Sequence, residues 1–252
     1  MQNAKHLDPE AHLHGDAVTR SIIASNPVTT FWSTVIGKKV VMALTGAVLV
    51  GFVIAHMLGN LKMFSGPNEI NAYARFLREV GSPVFGYGQL LWILRIVLVV
   101  CVMLHITAAI QLTRMSWAAR PLGYSVKRNV ETTFAARLMR WGGVLLVGFV
   151  VVHLLHLTGG FVGFRAGQFT HLAVYQNVVA AFAVWPVALF YIVAMAALGL
   201  HLSHGIWSML QTLGWSTARN AAALKIFSRV IGIVVFAGFT SIPLAVMAGW
   251  LH

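Results

Sequence analysis

The chain has 252 residues, 58% of them hydrophobic and 10% charged, where an ordinary soluble domain carries about 25% charge. That composition excludes a soluble globular enzyme and points to an integral membrane protein. The net charge of +12 sits in short segments between apolar runs, a pattern of membrane topology rather than of a nucleic-acid surface, and the single cysteine, Cys101, excludes an internal disulfide and any all-cysteine zinc or iron–sulfur centre.

Residues 1–30 read as a polar segment. It contains Asp8, Glu10 and Asp16 and no apolar core, so it is not expected to be a cleaved signal peptide. Residues 31–252 read as one membrane domain of five spans, since each apolar run approaches or exceeds the ~20 residues that cross a bilayer as a helix. The spans are expected at about 40–58, 89–113, 138–158, 172–211 and 226–251, with Pro186 kinking the long fourth one. Between the first two, residues 59–83 are expected to hold a short interfacial helix from Asn68 to Val80. The fold class is therefore all-α integral membrane, a bundle of five transmembrane helices. No Walker, Rossmann or zinc-motif spacing is present.

Positive charge orients the bundle. Thirteen lysines and arginines lie before span one, around the 2–3 loop and around the 4–5 loop, among them Lys38, Lys39, Arg114 and Arg140; the opposite side has Lys62, Arg75, Arg78 and Arg165, with Arg95 a turn or two inside span two. This asymmetry places the N-terminus in the cytoplasm and the C-terminus outside. Residues 117–134 then form an inner loop able to face a soluble partner.

Eleven histidines divide into two groups. His6, His12, His14, His171 and His252 lie in polar or terminal positions and read as solvated surface. His56, His105, His153, His156, His201 and His204 lie within spans, where ionisable residues are uncommon unless they have a role. A helix rises ~1.5 Å per residue, which puts His105 and His201 about 13–15 Å from the inner boundary, His153 about 20 Å and His56 about 26 Å. Two layers result, His105 with His201 nearer the inside and His56 with His153 nearer the outside. Paired imidazoles at two depths suit two hexacoordinate haems, each held from both faces. Gly46, Gly51, Gly142, Gly143, Gly148, Gly199 and Gly205 offer room for a flat macrocycle. Helix–helix hydrogen bonding, ordinary small-residue packing and a histidine proton relay are the competing readings. A zinc site is disfavoured because no carboxylate or second cysteine joins the layers.

The stretches "FVIAHMLGN" (52–60), "VMLHITAAIQLT" (102–113), "RWGGVLLVGFVVVHLLH" (140–156) and "LHLSHGIWSMLQTLGW" (200–215), in this order of spans, resemble the cytochrome b subunit of succinate dehydrogenases and fumarate reductases. More narrowly they resemble its single-subunit, five-helix, two-haem bacterial type. The resemblance runs from Ile36 to Leu251, and the His–x–Ser–x–Gly–x–Trp stretch is its most specific part. It implies an anchor in the bacterial cytoplasmic membrane for a flavoprotein and an iron–sulfur subunit, compatible with a higher oligomer of the complex. It also implies electron relay to or from a quinone, usually menaquinone. The resemblance further implies two b haems, one on His56 and His153 and one on His105 and His201, and no dicarboxylate activity in this subunit alone.

His156 and His204 are extra to that pattern, and each is a propionate partner, a quinone hydrogen bond or a substitute ligand. Lys38 is expected near a propionate at the inner edge, and Arg95 near one of the outer haem, unless it snorkels. No acidic residue follows Glu131, so a carboxylate on span four, used by some relatives for proton movement, has no counterpart. Glu69 and Glu79 are the acids nearest an outer quinone, with an inner site at His204, Ser203 or Trp207 as the competitor. Two rival functions are an anchor for another quinone-linked enzyme, such as a hydrogenase or formate dehydrogenase, and a haem-free transporter or proton channel.

Overall fold

The computed structural model describes residues 26–119, 132–164 and 168–252, with the backbone alone over 132–138. The expectations for residues 1–25, including His6, His12 and His14, and for most of the 117–134 loop lie outside the described residues, as does Arg165. Among the described residues every regular element is helical, and five helices are long and apolar enough to cross a membrane.

The first helix, α1 (Pro27–Ser33), was not expected, because its seven residues lie at the edge of a segment read as polar. Its start follows from local chemistry: Asn26 accepts from the Val28 amide at 3.0 Å and Pro27 occupies the first turn, where a missing N–H costs nothing. It stops at Thr34, whose extended backbone turns the chain and whose hydroxyl caps the next helix by accepting from the Gly37 amide at 2.9 Å. Gly37 is required there, since a Cβ would overlap the Phe31 carbonyl oxygen. The first long helix, α2 (Val35–Asn60), runs on into a 3-10 turn, Leu61–Ser65.

The amphipathic helix α3 (Pro67–Glu79) matches the expected interfacial helix to within a residue at each end. Glu69 in its first turn and Arg78 in its last complement the helix dipole, and it buries Ile70 and Ala74 on one side. The second long helix is α4 (Gln89–Ala118). The third is α5 (Thr132–His153), closed by a π-helical turn at Leu154–Thr158.

The expected fourth span is corrected by the structure. Residues 172–211 are not one kinked helix but two: α6 (Val174–Phe182) and the long α7 (Trp185–Thr212). Val184 takes an extended conformation, and Pro186 sits in the first turn of α7, where proline begins a helix instead of bending one. The last long helix, α8 (Ala221–Met247), carries Pro243 within it.

Packing is uneven. The α7–α8 pair forms the main seam through small residues: a Cβ on Gly199 would lie 2.8 Å from the Gly232 carbonyl oxygen, and one on Gly232 would overlap Ser203 Oγ. Such close approach is the usual basis of helix association in lipid. Two buried clusters flank this seam. One, around Met63, Ile70, Tyr175, Phe182, Tyr191 and Ile242, lies at the α3 end; the other includes Met57, Leu202, Ile206, Leu210 and Val235. Asn71 ties α3 to α6, accepting from the Tyr175 amide at 3.1 Å and donating to Gln176 Oε1 at 3.2 Å. In contrast, α4 and α5 bury little against the rest of the chain, so their apolar circumference suits contact with lipid.

Candidate functional site

Near the α3 end, His56 on α2 and His153 at the close of α5 face each other, with ring centroids 6.0 Å apart and planes at 82°. Phe52 stacks on His56 at 5.3 Å and Phe149 on His153 at 5.6 Å, fixing both rings with apolar neighbours. Closer to the α1 end, His105 on α4 and His201 on α7 face each other at 6.4 Å, with planes at 59°.

The histidine nitrogens are not equivalent. His105 Nδ1 lies 3.2 Å from the Met42 carbonyl oxygen and 3.4 Å from Thr45 Oγ1. A carbonyl only accepts, so Nδ1 carries the proton and Nε2 keeps its lone pair. Thr45 itself donates to the Val41 carbonyl at 2.7 Å. His153 Nδ1 lies 3.5 Å from the Tyr191 hydroxyl. His201 Nδ1 is buried and has no hydrogen-bond partner among the described residues, which is costly for an imidazole unless something else engages the ring.

Whether these residues fit a haem can be tested on distances and on the space between helices. Two imidazoles binding one metal from opposite sides, each nitrogen about 2.0 Å away, have ring centroids about 6.3 Å apart. Both pairs lie within 0.3 Å of that separation. The helices are arranged accordingly: α4 packs along α2 and α5 along α7, while α2 and α5, like α4 and α7, make no extended backbone contact. Each histidine pair therefore reaches across helices that stand apart. Two glycines border the rings: a Cβ on Gly46 would lie 3.4 Å from His105 Cε1 and one on Gly143 3.9 Å from His201 Cε1, whereas Gly51, Gly142 and Gly148 have no neighbour within 4 Å of a Cβ position. Among the described residues no three potential ligands of the His, Cys, Asp or Glu type gather. Each layer offers two imidazoles, the donor set of an axially ligated haem.

The remaining expected residues fall elsewhere. His156 is turned from His56 toward Tyr191, whose hydroxyl lies 3.0 Å from its Nδ1, and toward the Phe164 ring at 4.9 Å. His204 is half-buried one turn from His201. Lys38 is buried and directs its ammonium to the Trp32 and Ser33 carbonyls at 2.6 and 3.0 Å, capping α1. Arg95 lies over the Trp92 ring at 4.9 Å. Glu69 and Glu79 are exposed on α3. Gly199 and Ser203 belong to the α7–α8 seam rather than to a ligand space.

Sequence reasoning overlooked Tyr191, which contacts two histidines at once. A signal was available, because a tyrosine inside an apolar run seeks a hydrogen-bond partner, and Tyr191 precedes His201 by ten residues, about 15 Å along the helix. No protein-family model matches the chain, and no curated protein or solved structure does either.

Proposed function

We propose that the chain is the membrane-anchor cytochrome b subunit of a succinate:quinone oxidoreductase, with His56 and His153 holding one b haem and His105 and His201 a second. The observation that carries this reading is the pair of imidazole–imidazole spacings, 6.0 and 6.4 Å, each between helices whose backbones stand apart. Bound haem supplies one-electron redox chemistry at an iron whose potential follows its axial ligands and their surroundings. The chain's part is to present Nε2 and hold the other ring nitrogen. The Met42 carbonyl does this for His105 and the Tyr191 hydroxyl for His153, the outer-sphere contacts that orient a ligand and tune its basicity.

The choice of partner rests on the resemblance carried by "LHLSHGIWSMLQTLGW". In this reading the basic side, with Lys39, Arg114 and Arg140, is cytoplasmic and receives the iron–sulfur and flavoprotein subunits, where succinate or fumarate is handled. A quinone, menaquinone in this type, exchanges electrons in the membrane. Glu69 and Glu79 on α3 are the carboxylates nearest its outer approach, and quinone reduction takes up protons for which a nearby titratable group is useful.

The test is haem per polypeptide in the purified complex, together with the soluble subunits that accompany it. Two haems with a flavoprotein and an iron–sulfur subunit are expected. A haem-free preparation refutes the proposal, and co-purification with a hydrogenase or formate dehydrogenase refutes the partner assignment.

A further inference from the structure

At the end of the bundle opposite α3, a cavity of about 430 Å³ lies between the start of α2 and the end of α7. Ile36, Lys39 and Val40 line it from α2, and Ser208, Gln211 and Thr212 from α7. One wall is thus two aliphatic side chains and a cation. The other is three uncharged polar side chains, spaced so that they share one helix face. Lys38 is turned elsewhere, its ammonium held by the Trp32 and Ser33 carbonyls. Lys39 is therefore the cation of the cavity. Among the described residues no carboxylate is near it, since Glu69 and Glu79 both lie on α3.

The α7 wall is unusual for this bundle. Thr45, Thr107, Thr113, Ser203 and Ser228 each donate to a carbonyl of their own helix four residues back, the usual recourse of a hydroxyl in an apolar helix. Ser208 and Thr212 do not, and with Gln211 their side chains make no hydrogen bond to any described residue. The backbone adds to the positive character. The cavity meets α2 in its first turn, the positive end of the helix dipole. The carbonyls at the close of α7 are occupied, Met209, Leu210 and Gln211 accepting from the Leu213, Trp215 and Gly214 amides.

Two anionic groups compete for such a place. Ser208 lies seven residues beyond His201, about 10 Å along α7, and Met42, whose carbonyl faces His105, borders the cavity; a propionate of an inner haem is one candidate. Access favours the other. Ile36 is 71% exposed, and Lys39 and Gln211 are exposed too, which opens the cavity to the outside of the bundle at the basic boundary of its apolar spans. Ile36 and Val40 also offer an acyl chain a flank for which a bare carboxylate has no use.

We propose that this cavity binds the phosphate of one phospholipid from the leaflet at that end. The phosphate oxygens accept from the Lys39 ammonium, the Ser208 and Thr212 hydroxyls and the Gln211 amide, and the head of an acyl chain lies on Ile36 and Val40. Free phosphate shares the polar half of this chemistry, and the aliphatic flank selects the lipid. The site does not depend on the haem reading.

The experiment uses the full chain, purified with the subunits that accompany it and delipidated. Native mass spectrometry counts bound molecules, and titration compares three probes: dihexanoyl phosphatidylglycerol, dihexanoylglycerol, which has the tails without the phosphate, and inorganic phosphate. One phosphatidylglycerol per chain should bind at least roughly fivefold more tightly than either other probe. Lys39→Met should weaken it roughly fivefold, the worth of one lysine at a lipid surface, and Ser208→Ala with Thr212→Val by a similar factor. Arg114→Gln, at an exposed position of α4 outside the cavity, should leave binding unchanged. Gln211→Trp fills the cavity and keeps the charge; it should abolish binding, and serves if Lys39→Met does not assemble. Equal losses in Lys39→Met and Arg114→Gln would show a diffuse attraction of lipid to a basic surface and overturn the proposal. Phosphate-free lipid or inorganic phosphate binding as tightly as phosphatidylglycerol would overturn it as well. A shifted midpoint potential of the His105–His201 haem in Lys39→Met, with lipid binding intact, would give the cavity to a propionate instead.

Discussion

Replacing His56 by leucine separates the two layers. His56 is half-buried between Phe52 and Phe239, at 5.3 and 5.9 Å, and faces His153. Leucine keeps a side chain of similar bulk in that apolar setting, so the fold should lose less than about 1.5 kcal/mol. The two pairs lie far apart: Tyr191, in contact with His153, and His201 are ten residues distant on the same helix, about 15 Å. Sites separated by more than about 7–10 Å without shared partners respond independently. His56→Leu should therefore lower haem from two to one per chain, leaving the His105–His201 haem in place. Losing one unit of charge 15 Å away changes the neighbour's free energy by about 1 kcal/mol at an effective dielectric of about 20. For a one-electron couple that is at most about 50 mV. Pyridine haemochrome analysis and a redox titration of the purified complex measure both quantities. Retention of two haems would remove His56 from the ligand set. Joint loss of both, or a shift well beyond 50 mV in the survivor, would refute the two-layer arrangement.

Other substitutions test the surroundings. Gly46→Leu drives a side chain into the His105 ring, which a bare Cβ already approaches to 3.4 Å, and should remove the His105–His201 haem while sparing the other, as read from haem content. Thr45→Val should leave that haem's midpoint potential nearly unchanged, because the Met42 carbonyl still takes the Nδ1 proton at 3.2 Å; a large shift would show that Thr45, not Met42, sets the ring. Asn71→Ala removes both hydrogen bonds between α3 and α6 and should cost about 1–3 kcal/mol, seen as faster hydrogen exchange in α3 with haem content unaltered. Gly232→Ala places a Cβ on Ser203 Oγ and against the Gly199 carbonyl and should lower the thermal unfolding midpoint in detergent, since overpacking a tight seam costs about 1–3 kcal/mol.

The five long helices were legible because apolar runs of that length have few alternatives, and α3 was legible because its polar and apolar residues alternate at helical spacing around Ile70 and Ala74. Helix rise alone paired His56 with His153 and His105 with His201, since depth is a one-dimensional quantity that sequence position encodes. Rotation about each axis is not encoded that way. His156 and His204 lie close to their neighbours' faces in sequence, yet His156 turns to Tyr191, a choice made by the π-helical turn and by a residue 35 positions away. The break at Ala183–Val184 was missed for a similar reason: Pro186 marks a disturbance, but whether it kinks one helix or opens another depends on the conformation of Val184. Glycines were legible as small, not as to purpose. Gly46 and Gly143 border histidine rings, whereas Gly199 lets α7 meet α8.

The break before α7 has a consequence for the site. A continuous helix over Val174–Thr212 would be about 58 Å long, nearly twice the hydrocarbon thickness of about 30 Å. Ending α6 at Phe182 lets it lie against α3 under the Asn71 contacts, while α7 starts anew with Tyr191 at the level of one histidine pair and His201 at the level of the other. The glycine seam with α8 then fixes α7 as the axis from which both layers are measured. By contrast, among the described residues α4 has its extended packing along α2 and α5 along α7. The ring pairs bridge α4 to α7 and α5 to α2. If the rings hold haem as proposed, the haem binds the assembled bundle better than one with the rings apart, and stabilises it by mass action. On that proposal ligand binding and joining of the two histidine pairs are one equilibrium, built on the close α7–α8 seam.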